Sequence, residues 1–236
     1  MKPWLFVHHR AASTWTSQFV SEYAQKTGRV TCGTMNTFRQ EPSYENVRKA
    51  LEHPWALAVN PWPSLPAQIS VLWPSTEWKA VHIVRDPRDV LISAYFSCRD
   101  YHPTTDWPEL APFKAWLRRV NVEDGIIATM GWVSFVLDLA DWTPDPNVLE
   151  IDYAELFAPG EDQHILAMLD WLFPPVATDL ARELIHKHSW EVRTGGRQRG
   201  VEDTAHHYRK GVAGDWKRHW TKRIDKVWKE AYPCRS

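Results

Sequence analysis

Glycine is scarce in this 236-residue chain, with ten in all, and cysteine is scarcer, with three. Cys32, Cys98 and Cys234 lie far apart and form no Cys-x-x-Cys pair, which argues against a disulfide framework or a sequence-local zinc site. We read them as reduced thiols in a reducing compartment. Neither charge sign is in excess: 28 Lys and Arg stand against 29 Asp and Glu, a net charge of −1. No global field would therefore draw the chain to nucleic acid, and any bound anion must be held by local clusters. No apolar run is long enough to cross a bilayer. The N-terminus reaches His8-His9-Arg10 too soon for the apolar segment of a signal peptide. The expectation is a cytoplasmic protein with no membrane or nucleic-acid partner.

Tryptophan is abundant, with 15 residues, most of them read as core or pocket wall. Hydrophobic content of 44% and charged content of 24% are ordinary for a globular protein. The length suits one α/β domain over residues 1–236 better than two.

Short apolar runs at Leu5–Val7, Ala56–Val59, Ala80–Val84 and Val148–Ile151 read as strands. Between them, helical spacing or helix-start signals mark Ser13–Tyr23, Glu45–Glu52 and the segment from Asp86-Pro87 to Phe96. Further helices are expected over Pro112–Val120, Glu123–Leu139, Asp162–Leu172 and Ala177–His186. Prolines 61, 63 and 66 predict an irregular loop after the second of these strands. Arg193–His207, rich in glycine and charge, reads as a mobile segment and a candidate lid. Alternating strands and helices predict an α/β fold with a mainly parallel central sheet flanked by helices. Ligands then bind at the carboxyl ends of the strands.

Three segments have the chemistry of anion sites. His9-Arg10-Ala11-Ala12-Ser13-Thr14-Trp15 joins a strand to a helix, where free N–H groups and the helix dipole favour a phosphate. It lacks the Gly-x-x-x-x-Gly-Lys-[Ser/Thr] pattern, which argues against a magnesium-dependent ATP site. Arg85 ends a strand, and Ser93 lies two turns into the following helix. Arg209-Lys210-Gly211-Val212-Ala213-Gly214-Asp215-Trp216-Lys217 pairs two cations with glycines that let the main chain approach an oxyanion. Taken singly, these also read as a polar helix cap, a structural ion pair and a solvated basic turn.

In this order the three segments resemble the cytosolic-type sulfotransferases, which transfer a sulfuryl group from 3′-phosphoadenosine 5′-phosphosulfate (PAPS) and release PAP. The family's first loop reads roughly P-K-S-G-T-T-W, its second motif pairs an Arg with a Ser eight positions on, and its third reads R-K-G-x-x-G-D-W-K. The likeness runs along nearly the whole chain, with His102-Pro103 and Gly131-Trp132 also in place. It implies a P-loop NTPase-like sulfotransferase fold and metal-independent, in-line transfer to a hydroxyl or amine of a small acceptor. It further implies that Arg10, Ala11, Ala12, Ser13, Thr14 and Trp15 wrap the 5′-phosphosulfate, with Arg10 in place of the family's lysine. Arg85, Ser93, Arg209, Lys210 and Gly211 would hold the 3′-phosphate, and Tyr153 and Trp190 would lie by the adenine.

The first-loop match is degenerate, and three departures bear on chemistry and assembly. Arg10 cannot give up its proton, so it can clamp charge but not donate a proton. The family's Lys-Thr-His is replaced by Val59-Asn60-Pro61, with Pro61 at the histidine's position. His8 and His9 are the nearest substitutes as general base, with His102 behind them and a carboxylate that the sequence does not single out as a further alternative. The family's dimer element keeps Lys217 and Thr221 but has Lys222 for a Val and Lys226 for a Glu, so a monomer or a dimer of another kind is expected. Trp62, Trp107 and Trp132 are candidates for the acceptor pocket. The loss of the usual base leaves a second reading open, a catalytically impaired PAPS- or PAP-binding sensor or scaffold.

Overall fold

The computed structural model describes residues 1–29, 32–36, 43–105, 107–137, 144–158, 160 and 162–233, with backbone alone at 32–36, 135 and 136. Cys234 and the end of the helix expected to reach Leu139 lie outside the described residues.

Five strands, β1 (Lys2–Val7), β2 (Cys32–Asn36), β3 (Trp55–Val59), β4 (Trp78–Val84) and β5 (Val148–Asp152), form one sheet in the order β2-β3-β1-β4-β5. Every neighbouring pair is parallel. Twelve α-helices are described: α1 (Ser13–Lys26), α2 (Tyr44–Glu52), α3 (Leu65–Leu72), α4 (Pro87–Phe96), α5 (Leu110–Leu117), α6 (Val122–Trp132), α7 (Ser134–Leu137), α8 (Tyr153–Leu156), α9 (Asp162–Leu172), α10 (Thr178–Lys187), α11 (Trp190–Arg193) and α12 (Lys222–Ala231). A π-helical turn spans Ser97–Tyr101 and a 3₁₀ turn Asp215–Arg218. The chain divides into two compact units, residues 1–85 with 138–196 and residues 86–137 with 197–236.

The first unit holds the sheet. Trp4, Phe6, Ala56, Ala58, Trp78 and Ala80 share one core with Val47 and Ala50 of α2 and Leu65 and Ile69 of α3. The alternate residues Leu5, Val7, Leu57, Val81 and Ile83 are buried as well. Burial on both faces explains why these strands read as continuous apolar runs. The connection after β1 runs toward β2 and the one after β4 toward β5, on opposite sides of the sheet, which places a topological switch point between the carboxyl ends of β1 and β4.

Besides the short helices α8 and α11, two elements differ from expectation. Helix α3 occupies part of the stretch expected to be irregular: Pro66 sits in its first turn, where a missing N–H costs nothing and the fixed φ suits a helix. Strand β2, Cys-Gly-Thr-Met-Asn, was not expected. Among the described residues it is an edge strand paired with β3 alone, and its sequence carries little of the hydrophobic signal of the inner strands.

In the second unit α4 buries Val90, Leu91, Ile92, Ala94, Tyr95 and Phe96. Asp86 caps it by accepting from the Arg88 N–H at 2.9 Å. A Cβ at Gly125 on α6 would lie 2.5 Å from the Tyr95 ring, so glycine permits the close approach of α4 and α6. Ile224 and Trp228, four residues apart on α12, are buried on one face.

Candidate active site at the carboxyl ends of the strands

The loop after β1 turns tightly, with the Ala11 N–H donating to the His8 carbonyl at 3.0 Å. Arg10 and Ala12 both take left-handed backbone conformations, at φ 69° and 63°. Among the described residues no side chain caps the start of α1, which leaves its first turn free to bind an anion. Arg85, at the end of β4, donates from Nη1 to the Arg10 carbonyl at 2.6 Å. Its guanidinium lies 4.2 Å from the centre of the Tyr153 ring, and its buried Nε has no hydrogen-bond partner among the described residues. Arg10, Arg85 and Tyr153, distant in sequence, thus meet beyond the ends of β1, β4 and β5. This donor set fits a phosphate: a guanidinium with an unsatisfied N–H beside an uncapped helix N-terminus.

Next to this cluster, His8 Nε2 lies 2.8 Å from His82 Nε2, and His82 Nδ1 lies 3.0 Å from Glu150 Oε1. Burial, with a smaller effect of the neighbouring His82, pushes the His8 pKa down to about 3. Burial also lowers His82, opposed by its hydrogen bond to Glu150. Glu150 is held below the usual carboxylate range by that bond. The His9 backbone N–H donates to Asn60 Oδ1, and the Asn60 N–H donates to the Val7 carbonyl at 2.7 Å. Asn60 is buried at φ 52°. The residue after β3 thus braces the loop after β1 and supplies no imidazole.

The third motif lies in the second unit and is organised by two carboxylates. Asp89 of α4, fully buried, accepts from the Gly214 N–H at 2.6 Å and the Trp216 N–H at 3.0 Å. Asp215, 2% exposed, pairs with Arg209 at 2.5 Å and with Lys210. Burial raises its pKa, but hydrogen bonds from His219, Lys210 and Arg209 outweigh this and hold it well below the usual range. Arg209 also pairs with Glu202 and lies 4.3 Å from the Phe96 ring centre. Gly211 takes φ 69°, and Ser93 is half-buried on α4.

Of the segment expected to be a mobile lid, residues 197–207 are tied down within this unit. Arg197 donates to the Arg209 carbonyl at 2.8 Å and to that of Tyr208. Gly200 N–H donates to the Lys210 carbonyl at 2.9 Å and Asp203 N–H to the Arg209 carbonyl at 2.9 Å. Its charged side chains serve the fold by satisfying main-chain carbonyls, a role that composition does not reveal.

A profile of the sulfotransferase domain matches residues 5–233. The chain belongs to this family. The 3-alpha-hydroxysteroid sulfotransferase of Cavia porcellus is 26% identical to it over 170 residues, covering 66% of this chain and 56% of that protein. The 3-beta-hydroxysteroid sulfotransferase of the same species is 26% identical over 167 residues, with the same coverage of 66% and 56%. The match thus spans little more than half the length of these relatives. Among solved structures, mouse sulfotransferase SULT7A1 complexed with PAP superposes with a TM-score of 0.55 at 16% identity, covering 99% of this chain and 84% of that one. Retinol dehydratase in complex with androsterone and inactive cofactor PAP gives 0.53 at 15% identity, covering 99% and 80%. These two likenesses are of fold.

Within this sulfotransferase-family chain the remaining candidates take varied positions. Trp15 turns inward: its indole donates to the His188 carbonyl at 2.8 Å and stacks on Phe19 at 5.0 Å. Trp190 is buried at the start of α11. His102 packs edge-on against Trp107 at 5.8 Å, and Trp107 lies 5.4 Å from Trp132. Asp89, Asp215, Asn60, His82 and Glu150 were not foreseen as site residues. The only sequence signal for Asp215 was its place inside the third motif, and Asp89 read as a helix-start acid.

Proposed function

We propose that this protein is a PAPS-dependent sulfotransferase acting on a hydroxyl or amine of a small acceptor, in line and without a metal. The observation that carries the reading is the meeting of Arg10, Arg85 and Tyr153 beside the uncapped start of α1. The main chain of residues 10–15 with the Arg10 guanidinium would hold the 5′-phosphosulfate, and Arg85 the 3′-phosphate. Tyr153 would lie by the adenine. The roles of Ser93, Arg209, Lys210 and Gly211 at the 3′-phosphate, and of Trp190 at the base, rest on the sequence resemblance alone. Family membership and the PAP bound by SULT7A1 and retinol dehydratase support the choice of donor.

Transfer needs an acceptor in line with the breaking S–O bond, a base for its proton, and cations facing the charge that builds on the leaving phosphate. Arg10 supplies fixed charge and cannot act as the acid. His8 and His9 remain the candidate bases. We further propose a monomer, or a dimer through a surface other than the family's element, because Lys222 and Lys226 replace an apolar residue and an acid there.

The test is transfer of label from radiolabelled PAPS to phenols, alcohols, amines and sugars, in EDTA. Transfer is expected, and Arg10→Ala should reduce kcat by about 10²–10³-fold, as for one oxyanion donor. PAP binding without turnover on any acceptor would establish the sensor or scaffold reading. Neither binding nor transfer would overturn both.

A further inference from the structure

Strand register brings three titratable side chains together in a way the chain's motifs do not record. In the parallel sheet Phe6 on β1 is the partner of His82 on β4, and His82 is the partner of Glu150 on β5. Side chains alternate along a strand, so His8, two residues beyond Phe6, falls on the same face as His82 and Glu150. The result is a continuous chain: His8 Nε2 to His82 Nε2 at 2.8 Å, then His82 Nδ1 to Glu150 Oε1 at 3.0 Å. It runs from the buried His82 side chain, 1% exposed, to a carboxylate side chain 39% exposed.

The carboxylate sets the tautomers. An ionised Glu150 only accepts, so His82 carries its proton on Nδ1 and presents a lone pair at Nε2. His8 must then donate from Nε2, which leaves the lone pair on His8 Nδ1. That atom is buried and has no hydrogen-bond partner among the described residues. A chain built only to satisfy buried histidines would not end on an unsatisfied acceptor. His8 also stands two residues before Arg10, where β1 gives way to the loop ahead of α1.

We propose that His8 Nδ1 is the proton acceptor in sulfuryl transfer and that His82 and Glu150 are positioning residues that relay its proton to the surface. The proposal rests on the sulfotransferase reading above. The acceptor oxygen or nitrogen bonds to sulfur as the bridging S–O bond breaks, and that bond's electron pair leaves on the 5′-phosphate of PAP. The acceptor's proton passes to His8 Nδ1. The Nε2 proton of His8 passes to His82 Nε2, and the Nδ1 proton of His82 passes to Glu150, which releases it to water. The relay answers a physical difficulty: burial opposes an imidazolium at His8 and makes it a weak base on its own. With the relay both rings end neutral, and the charge cancelled is that of the exposed carboxylate.

Nitrogen-15 NMR of the full chain, labelled at histidine and free of donor and acceptor, reads the tautomers directly. The expected result is His8 protonated at Nε2 and His82 at Nδ1, both neutral. A His8 proton on Nδ1 overturns the proposal whatever the protein's reaction. In turnover, Glu150→Gln keeps the side chain's shape and removes its charge. It should lower kcat by about 10²-fold or more, the scale of general-base catalysis, with KM for PAPS and affinity for PAP unchanged. Glu150→Asp should recover part of the loss. A kcat within twofold of wild type in Glu150→Gln overturns the relay while leaving PAP binding, and with it the sulfotransferase reading, intact. Absence of PAP binding by the wild type would instead sink that reading and the role of His8 in sulfuryl transfer with it, whatever the tautomers.

Discussion

Ala12 holds a left-handed conformation at φ 63°, where an L side chain is strained by roughly 1–2 kcal/mol, at the position where the family's loop carries glycine. Ala12→Gly should therefore stabilise the protein by about 1 kcal/mol, after allowing for the greater freedom glycine gives the unfolded chain. Urea denaturation measures this, and a loss of stability would show that the loop is held differently. Asp215 carries the opposite risk, because it is the counter-charge of the buried Lys210. Asp215→Asn should cost about 3–5 kcal/mol, the usual penalty for stranding one partner of a buried pair. The pKa of Asp215 is depressed in the fold, so its stabilisation is present above the unfolded carboxylate value of about 3.9 and is lost as pH falls below it. Between neutrality and about pH 5 the wild type should keep this contribution, and below about pH 4 the gap to Asp215→Asn should narrow. A gap that widens on acidification would contradict the pairing.

Among the elements, α4 does more than pack. Its first turn bears Asp89, whose carboxylate takes the Gly214 and Trp216 N–H groups and so fixes the turn that carries the third motif. Asp89→Ala leaves both donors without that acceptor and should destabilise the protein by on the order of 3 kcal/mol, since bonds to a charged acceptor contribute about 1.5–3 kcal/mol each. Thermal unfolding with the calorimetric enthalpy checks this, and a change below 1 kcal/mol would mean that water replaces the carboxylate. Asp89 also shows where sequence reading stops. An acid three residues after Asp86 is a sound helix-start signal, but its bonding partners lie more than a hundred residues away. His82 is similar: inside Ala80–Val84 it reads as one strand residue among apolar neighbours, and only the register against Phe6 and Glu150 reveals its task. The inner strands were legible as continuous apolar runs because both their faces are buried, α1 was legible from apolar residues spaced four apart, and α4 from its Asp86-Pro87 start. Edge strand β2 and Pro66-bearing α3 were not, because one has a weak apolar pattern and the other opens with a residue that elsewhere breaks helices.

For the molecule as a whole, parallel strands carry their chemistry to one edge of the sheet. His8 and Arg10 follow β1, Asn60 follows β3, Arg85 follows β4 and Tyr153 follows β5. That much was foreseeable from alternating strands and helices, and the sequence marks the three basic motifs as candidate anion sites. The acceptor's identity lies in side chains without a comparable signature. The central claim is that guanidinium and main-chain donors hold a doubly phosphorylated adenosine with no metal, and calorimetric titration of PAP in EDTA tests it most directly. Wild type should bind one PAP per chain, and Arg85→Ala should bind at least about tenfold more weakly, in keeping with the loss of a charged hydrogen bond. No heat of binding in the wild type, or equal affinity in Arg85→Ala, would contradict the account.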